Sequence, residues 1–350
     1  MHTGLSRCSL RSLGMGLWAF WGSACIALAA VAPATAAQTT IELLAKANAA
    51  VVGVRVNVEE GARSAETLGQ RRSGSGVVIG PDGLILTIGY LMVEAQSIEI
   101  VTQDHKTHPA QAVAYDLATG FGLIRPILPL RGIQPVPFGS LQELHTGEPL
   151  MASTGPQLGG EDADVNMVQV VSQRPFSGYW EYYIDSAIFT SPPVDNHSGA
   201  AVFNQKGELM GIGSLLVGDA LGAKSRLAGN MFVPVDLLKP ILAELQKTGS
   251  SLQSHRPWVG LTSSEQAGRV QILRVSKESP AADAGLEPGD VVLAVDGAKV
   301  STLEGFYKKL WDHDQAEVDI QLTVLQGADI KTIVLKAVDR MSTMRKPTGI

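Results

Sequence analysis

Cysteine is nearly absent: the 350 residues hold two, Cys8 and Cys25, and both lie in the N-terminal stretch. If that stretch is removed, thiol catalysis, disulfides and thiolate metal sites are excluded for the remainder. A dominant charge is also missing. The formal net charge is −6, with acidic and basic residues dispersed, so there is no electrostatic case for nucleic-acid binding. No cofactor motif stands out. What the chain does have is hydrophobic content, 45% of residues, enough for a sizeable core and more than one domain.

The N-terminus carries Arg7 and Arg11, an apolar run from Leu13 to Val31, and Ala34-Thr35-Ala36 as a small-x-small cleavage pattern. This reads as an export signal over residues 1–36 and predicts a periplasmic or extracellular address. The run is also long enough to approach a membrane span, so the alternative is an anchor left in place.

From Val51 onward short strands dominate the pattern. Val51 to Val58 is rich in β-branched residues, and the Pro81-Asp82-Gly83 turn joins Val77-Val78-Ile79 to Leu84-Ile85-Leu86-Thr87 as a hairpin. Further strands are expected near Ile98–Thr102, Ala112–Tyr115, Gly122–Arg125, Pro149–Ser153 and Asn166–Ser172. Their spacing predicts a mainly β fold, a barrel or sandwich and not a parallel sheet. A short helix is expected from Ile41 to Ala50, and another from Val235 to Lys247, where Leu237, Leu238, Ile241, Leu242 and Leu245 follow a 3.6-residue period. Residues 248–255 then read as a polar linker. A smaller second domain is expected over 256–340, with 341–350 as a flexible tail.

Two stretches carry chemistry. Asp195-Asn196-His197-Ser198-Gly199-Ala200-Ala201-Val202, followed by a strand, a Lys206-Gly207 turn and another strand, is how chymotrypsin-like double barrels present a nucleophilic serine beside its oxyanion loop. In the second domain, Arg256-Pro257-Trp258-Val259-Gly260-Leu261 precedes Ser279-Pro280-Ala281 and Gly285-Leu286-Glu287-Pro288-Gly289-Asp290, ending at Asp296-Gly297. Each glycine alone marks an ordinary turn; the two motifs in this order and spacing closely resemble a PDZ domain. Such a domain captures an extended chain end by adding it to a sheet edge. The resemblance implies that the backbone N–H groups of Val259, Gly260 and Leu261 form a nest for a terminal carboxylate. Phe306 and Leu310, spaced i and i+4 on a helix from Leu303 to Trp311, would line a side-chain pocket or belong to the domain core. Arg256 would add positive charge near the carboxylate, or be a solvated linker cation.

With the second domain assigned, the first resembles the trypsin-like domain of the HtrA/Deg family of periplasmic serine proteases, a chymotrypsin-like double β-barrel. The resemblance rests on Gly74-Ser75-Gly76-Val77-Val78-Ile79, Asp82-Gly83-Leu84-Ile85-Leu86-Thr87, Phe138-Gly139-Ser140, Gly147-Glu148-Pro149-Leu150-Met151-Ala152 and the segment Phe203 to Ile212. It spans residues 37–247 as the protease-like domain. Relatives of this type are often trimers, so a homo-oligomer is a candidate state.

Two partners of the serine are missing. The family's histidine falls three residues after the threonine matched by Thr87, where this chain has Tyr90; a phenol with an ordinary pKa near 10 is a poor general base. The family's aspartate falls at Gly120, which has nothing to orient a base. Ser198 is retained, while Asn196 stands at the oxyanion-loop position usually held by glycine; asparagine tolerates positive φ better than most residues. The approach from Ile188 to Val194 exceeds the family spacing by about five residues. His197 is a weak substitute base, because adjacent side chains diverge, and His145 is a distant one. His105 and His108 share a turn, a solvated turn being favoured over a two-histidine metal site; no metal is expected. These features predict an HtrA-like pseudoprotease that binds extended polypeptides or protein C-termini as an adaptor, scaffold or regulator of an envelope protein, with an active relative among its candidate partners. The alternative is a weak or substrate-activated endopeptidase using Ser198.

Overall fold

The computed structural model describes residues 32–157, 162–223 and 225–344. The expected signal segment up to residue 31, and residues 345–350 of the expected tail, lie outside the described residues. Among the described residues no helix is long and apolar enough to cross a membrane.

Helix α1 (Ala32–Asn48) leads into twelve strands, with the short helix α2 (Ala65–Leu68) between the first two. These are β1 (Val51–Val58), β2 (Arg71–Val78), β3 (Ile85–Ile88), β4 (Ala95–Val101), β5 (Thr107–Tyr115), β6 (Phe121–Pro126), β7 (Pro149–Ser153), β8 (Val165–Gly178), β9 (Tyr182–Ser191), β10 (Ala201–Phe203), β11 (Leu209–Val217) and β12 (Gly229–Pro234). The first six close into a barrel in the order β1-β2-β3-β6-β5-β4, and the second six into another in the order β10-β11-β12-β9-β8-β7. Closure removes the unpaired edges that would otherwise invite aggregation. The β1 strand is buried along nearly all its length, as expected of a run of β-branched residues. Val52, Val54, Ile85, Leu86, Phe121 and Leu123 share one contiguous core with Phe189, Phe203 and Met231 of the second barrel. Truncating a fully buried phenylalanine such as Phe121 to alanine would cost about 3–5 kcal/mol.

Three local features differ from the sequence expectation. The expected helix over Val235–Lys247 is a single turn, Val235–Leu237, followed by α3 (Leu242–Thr248), because Pro240 lacks the N–H that a continuous helix needs. The strand expected at Asn166–Ser172 runs on to Gly178; Pro175 is tolerated because it sits in the register shift between Arg174 and Phe176. The polar stretch 248–255 is pinned down. Ser251 and Ser254 are buried, and both hydroxyls donate to Asp116 Oδ1 at 2.5 Å, while Thr119 donates to Oδ2 through its hydroxyl at 2.6 Å and its N–H at 3.0 Å.

The second domain has a sheet of β14 (Leu261–Gln266), β15 (Arg269–Val275), β16 (Val291–Val295), β18 (Asp319–Gln326) and β19 (Asp329–Lys336), with β17 (Ala298–Lys299) paired to β16. Strand β13 (Pro257–Trp258) pairs with β20 (Val338–Asp339), tying the ends of the domain together. Helix α4 (Pro280–Asp283) starts where Ser279 accepts the Ala282 N–H, and α5 (Leu303–Leu310) where Thr302 accepts the Gly305 N–H; both are side-chain caps of orphan helix donors. Their core includes Val259, Val270, Ile272, Val292, Phe306 and Leu310.

Candidate functional site

Ser198 lies in the turn between β9 and β10, where the two barrels meet. Its carbonyl accepts the Ser75 N–H of β2 at 2.8 Å, and the Gly199 N–H reaches the Gly213 carbonyl at 2.8 Å. The approach leaves no room for side chains. A Cβ at Gly199, where φ is +75°, would lie 2.0 Å from the Ser75 carbonyl oxygen, and one at Gly74 would lie 2.5 Å from the Ser198 carbonyl oxygen. The long segment before the serine is held at Val194, whose N–H donates to Asn230 Oδ1 at 2.7 Å and whose carbonyl accepts from Asn230 Nδ2 at 3.1 Å.

Tyr90 stands on the single turn that follows β3 and crosses to the serine. Its hydroxyl donates to Ser198 Oγ at 2.7 Å, with the Ser214 carbonyl as a second acceptor at 3.0 Å. A nucleophilic serine must hand its proton to a base, and a neutral phenol held between Ser198 Oγ and the Ser214 carbonyl is a poor one. Burial pushes the Tyr90 phenol up to about 12, against a smaller opposing effect of the Ser198 hydrogen bond, so the phenol is neutral across the physiological range.

The backbone beneath Tyr90 is fixed by a buried cation. Arg72 donates to the Tyr90 carbonyl at 2.8 Å, the Val93 carbonyl at 2.9 Å, the Gly69 carbonyl at 3.1 Å and the Ser64 hydroxyl at 2.8 Å. Ser64 in turn donates its N–H and hydroxyl to Glu94 Oε2 at 2.8 and 2.6 Å. Arg72, Tyr90, Leu91 and Ser198 line one small cleft of about 250 Å³ together with Leu68, Arg71 and Ser73.

Gly120 lies at φ +83°, and a Cβ placed on it would meet the Tyr182 hydroxyl at 3.4 Å. That hydroxyl donates to the Thr119 carbonyl at 2.6 Å, so an aromatic side chain from β9 abuts the position at which the family resemblance puts a carboxylate. Asn196 is exposed and is not among the non-glycine residues with positive φ; the turn's positive φ falls on Gly199. The His197 ring faces the Asp195 carbonyl, with Nδ1 at 3.0 Å, and burial lowers its pKa. His145 is exposed beside Glu148 at 3.9 Å, and His105 pairs with Asp162 at 3.1 Å. None of the three histidines has a hydrogen bond to Ser198 among the described residues.

In the second domain the Val259, Gly260 and Leu261 amides converge on one carboxylate, with Gly260 at φ +89°. That carboxylate belongs to a side chain that the sequence reading missed. Glu181, at the tip of the β8–β9 hairpin, takes the Gly260 and Leu261 N–H groups on Oε1 at 2.8 and 2.7 Å and the Val259 N–H on Oε2 at 3.2 Å. It is 3% exposed. Burial pushes its carboxyl up, against the opposing pull of the Leu261 amide, Arg340 and the other two amides. Arg256 stacks on the Trp311 ring, 3.5 Å from its centroid, and donates to the Glu181 carbonyl at 3.3 Å. Burial lowers its pKa to about 10, with Glu181 opposing. Phe306 and Leu310 are 0% exposed and sit in the domain core. The available sequence signal for Glu181 was an acid beside Tyr179, Trp180, Tyr182 and Tyr183, an aromatic cluster in a chain with 5% aromatic residues.

Fold and site together define a trypsin-like double barrel joined to a PDZ domain. Residues 74–212 match the family described as trypsin-like peptidase domain, and residues 252–337 match the PDZ domain family. Both domains, in this order, resemble those of the HtrA/Deg family. It is 26% identical over 225 residues to the serine endoprotease DegS of Haemophilus influenzae, covering 64% of each chain. It is 27% identical over 254 residues to the serine protease PepD of Mycobacterium tuberculosis, covering 67% of this chain and 54% of that one. A probable periplasmic serine endoprotease DegP-like protein of Pseudomonas putida is 24% identical, with 71% and 53% covered. The chain thus spans between about half and two thirds of the length of these relatives. In fold it is similar to a serine endoprotease from Yersinia pestis, with TM-score 0.53, 21% identity and 86% and 97% of the two chains covered. It is likewise similar to the HtrA-type protease AlgW with a tripeptide, with TM-score 0.53, 19% identity and 88% and 98% covered.

Proposed function

We propose that this protein is an HtrA-type pseudoprotease, exported to the periplasm, that binds polypeptide segments or protein C-termini through its PDZ domain and acts as an adaptor or regulator of an envelope process. The observation that carries the reading is the Tyr90 hydroxyl on Ser198 Oγ at 2.7 Å. A phenol that keeps its proton up to about pH 12 accepts none from serine at neutral pH, and Gly120 supplies no carboxylate. The address is favoured by the export pattern of the first 36 residues and by the periplasmic naming of the Pseudomonas putida relative. The relatives named as endoproteases supply the alternative, a weak hydrolase using Ser198.

A fluorophosphonate probe separates the two. The pseudoprotease reading expects no labelling of the purified chain and no casein turnover above that of Ser198→Ala. Labelling that disappears in Ser198→Ala overturns it.

A further inference from the structure

The hairpin tip does more than present Glu181 to the cradle. The Tyr179 carbonyl accepts the Ser263 N–H of β14 at 2.8 Å, a rung of the kind that an added ligand strand would make on this edge. On the opposite side, the Tyr307 hydroxyl from α5 donates to the Gly178 carbonyl at 2.6 Å and accepts the Glu181 N–H at 3.3 Å. Glu181 itself holds φ +56°, a conformation uncommon for a residue with a side chain. The segment therefore meets the three parts of a chain-end site at once: the amide nest by its carboxylate, the strand edge by a carbonyl, and the facing helix by two backbone groups.

We propose that Glu181 is a built-in substitute for a chain-terminal carboxylate, and that the β8–β9 tip closes the PDZ site to free C-termini until it is withdrawn. The inference rests on the reading of the PDZ domain as a chain-end receptor. A carboxylate is the chemistry that the Val259–Leu261 amides select, and glutamate can deliver one from the middle of a chain. Tethering raises its effective concentration, so it outcompetes a free peptide of equal intrinsic affinity at ordinary peptide levels. Apparent affinity for a free end falls by the fraction of molecules with the tip withdrawn; nine docked in ten cost about tenfold. Withdrawal would also remove the tip's share of the contact between the PDZ domain and the second barrel, leaving that of Tyr183 with Glu304, so a ligand that captures the cradle would change how the two are joined.

The test uses the full chain, wild type and Glu181→Ala, and a pool of decapeptides randomised over the last four positions, with free or amidated C-termini. Backbone hydrogen exchange at residues 259–261 is followed in parallel, and Glu181→Gln, which keeps the side-chain shape, guards against a local packing defect. The expected result is that Glu181→Ala binds the free-carboxylate pool at least about tenfold more tightly than wild type. Glu181→Gln should fall between the two, and the amidated pool should show no gain. Exchange at 259–261 should be slow in wild type and fast in Glu181→Ala. Equal affinity of wild type and Glu181→Ala for the free-carboxylate pool overturns the proposal. If no protein binds either pool, the chain-end reading of the PDZ domain falls. Occupancy of the cradle is then judged by exchange: faster exchange in Glu181→Ala upholds it and unchanged exchange overturns it.

Discussion

The serine cleft and the PDZ cradle are both filled by the chain itself, but in different ways. At the cleft, Tyr90 stands where the family resemblance puts the base, with its hydroxyl 2.7 Å from Ser198 Oγ. At the cradle the receiving groups are intact, and a carboxylate of the expected kind sits in them. The cleft is closed by a residue whose backbone is clamped by buried Arg72. The cradle is closed by a three-residue hairpin tip on which Tyr179 and Trp180 are exposed. The lost base that we propose for the cleft and the masking that we propose for the cradle are thus separable, and only the second is reversible without changing the sequence.

The largest test of that difference is at Tyr90. Tyr90→His puts an imidazole where the family has one, yet the carboxylate that fixes its tautomer is still missing, a defect that costs about 10⁴-fold in kcat in a complete triad. Turnover of a fluorogenic peptide by Tyr90→His should remain below a complete relative by about that factor. Activity within tenfold of such a relative would mean that the cleft, like the cradle, is merely masked.

A second test concerns the clamp. Arg72→Met removes four hydrogen bonds from a charged donor, each worth about 1.5–3 kcal/mol when made, and leaves four acceptors to find water. A net loss of roughly 3 kcal/mol in urea unfolding is expected, with Tyr90 loosened and the cradle's exchange pattern unchanged. Faster exchange at residues 259–261 would show that cleft and cradle are coupled after all.

The smallest effect is at alkaline pH. An unfolded tyrosine loses its proton near pH 10, and folded Tyr90 near 12. Between these values the folded state holds a proton that the unfolded state has released, so this share of stability is complete below pH 10 and is lost as pH rises through 12. Urea titrations at pH 9 and pH 11 should show a smaller fall for Tyr90→Phe than for wild type. Equal falls would mean that the phenol is solvated, and that the cleft is more open than the cradle.

The barrels were legible because closed β-barrels are built from short strands and tight turns, and both leave local marks. Val51–Val58 and Pro149–Ser153 read the same from sequence and from coordinates. Two elements differ in opposite directions: Pro240 breaks a helix that the periodicity continues, and the strand expected to end at Ser172 runs on through Pro175 to Gly178. Residues 248–255 read as a linker because serine-rich polarity looks the same whether solvated or buried; Asp116, 135 positions away from Ser251, decides which.

The sequence by itself determined the fold class, the two domains' motif strings, and the presence of Tyr90 and Gly120 where the family resemblance puts a histidine and an aspartate. Each is a matter of residue type at short spacing. Only the tertiary structure decided what fills the two sites, because Tyr90 and Ser198 lie 108 residues apart and Glu181 lies 78 to 80 residues from the amides it binds. Contacts at such separation are made by barrel closure and by docking of one domain on another, and no local periodicity encodes them.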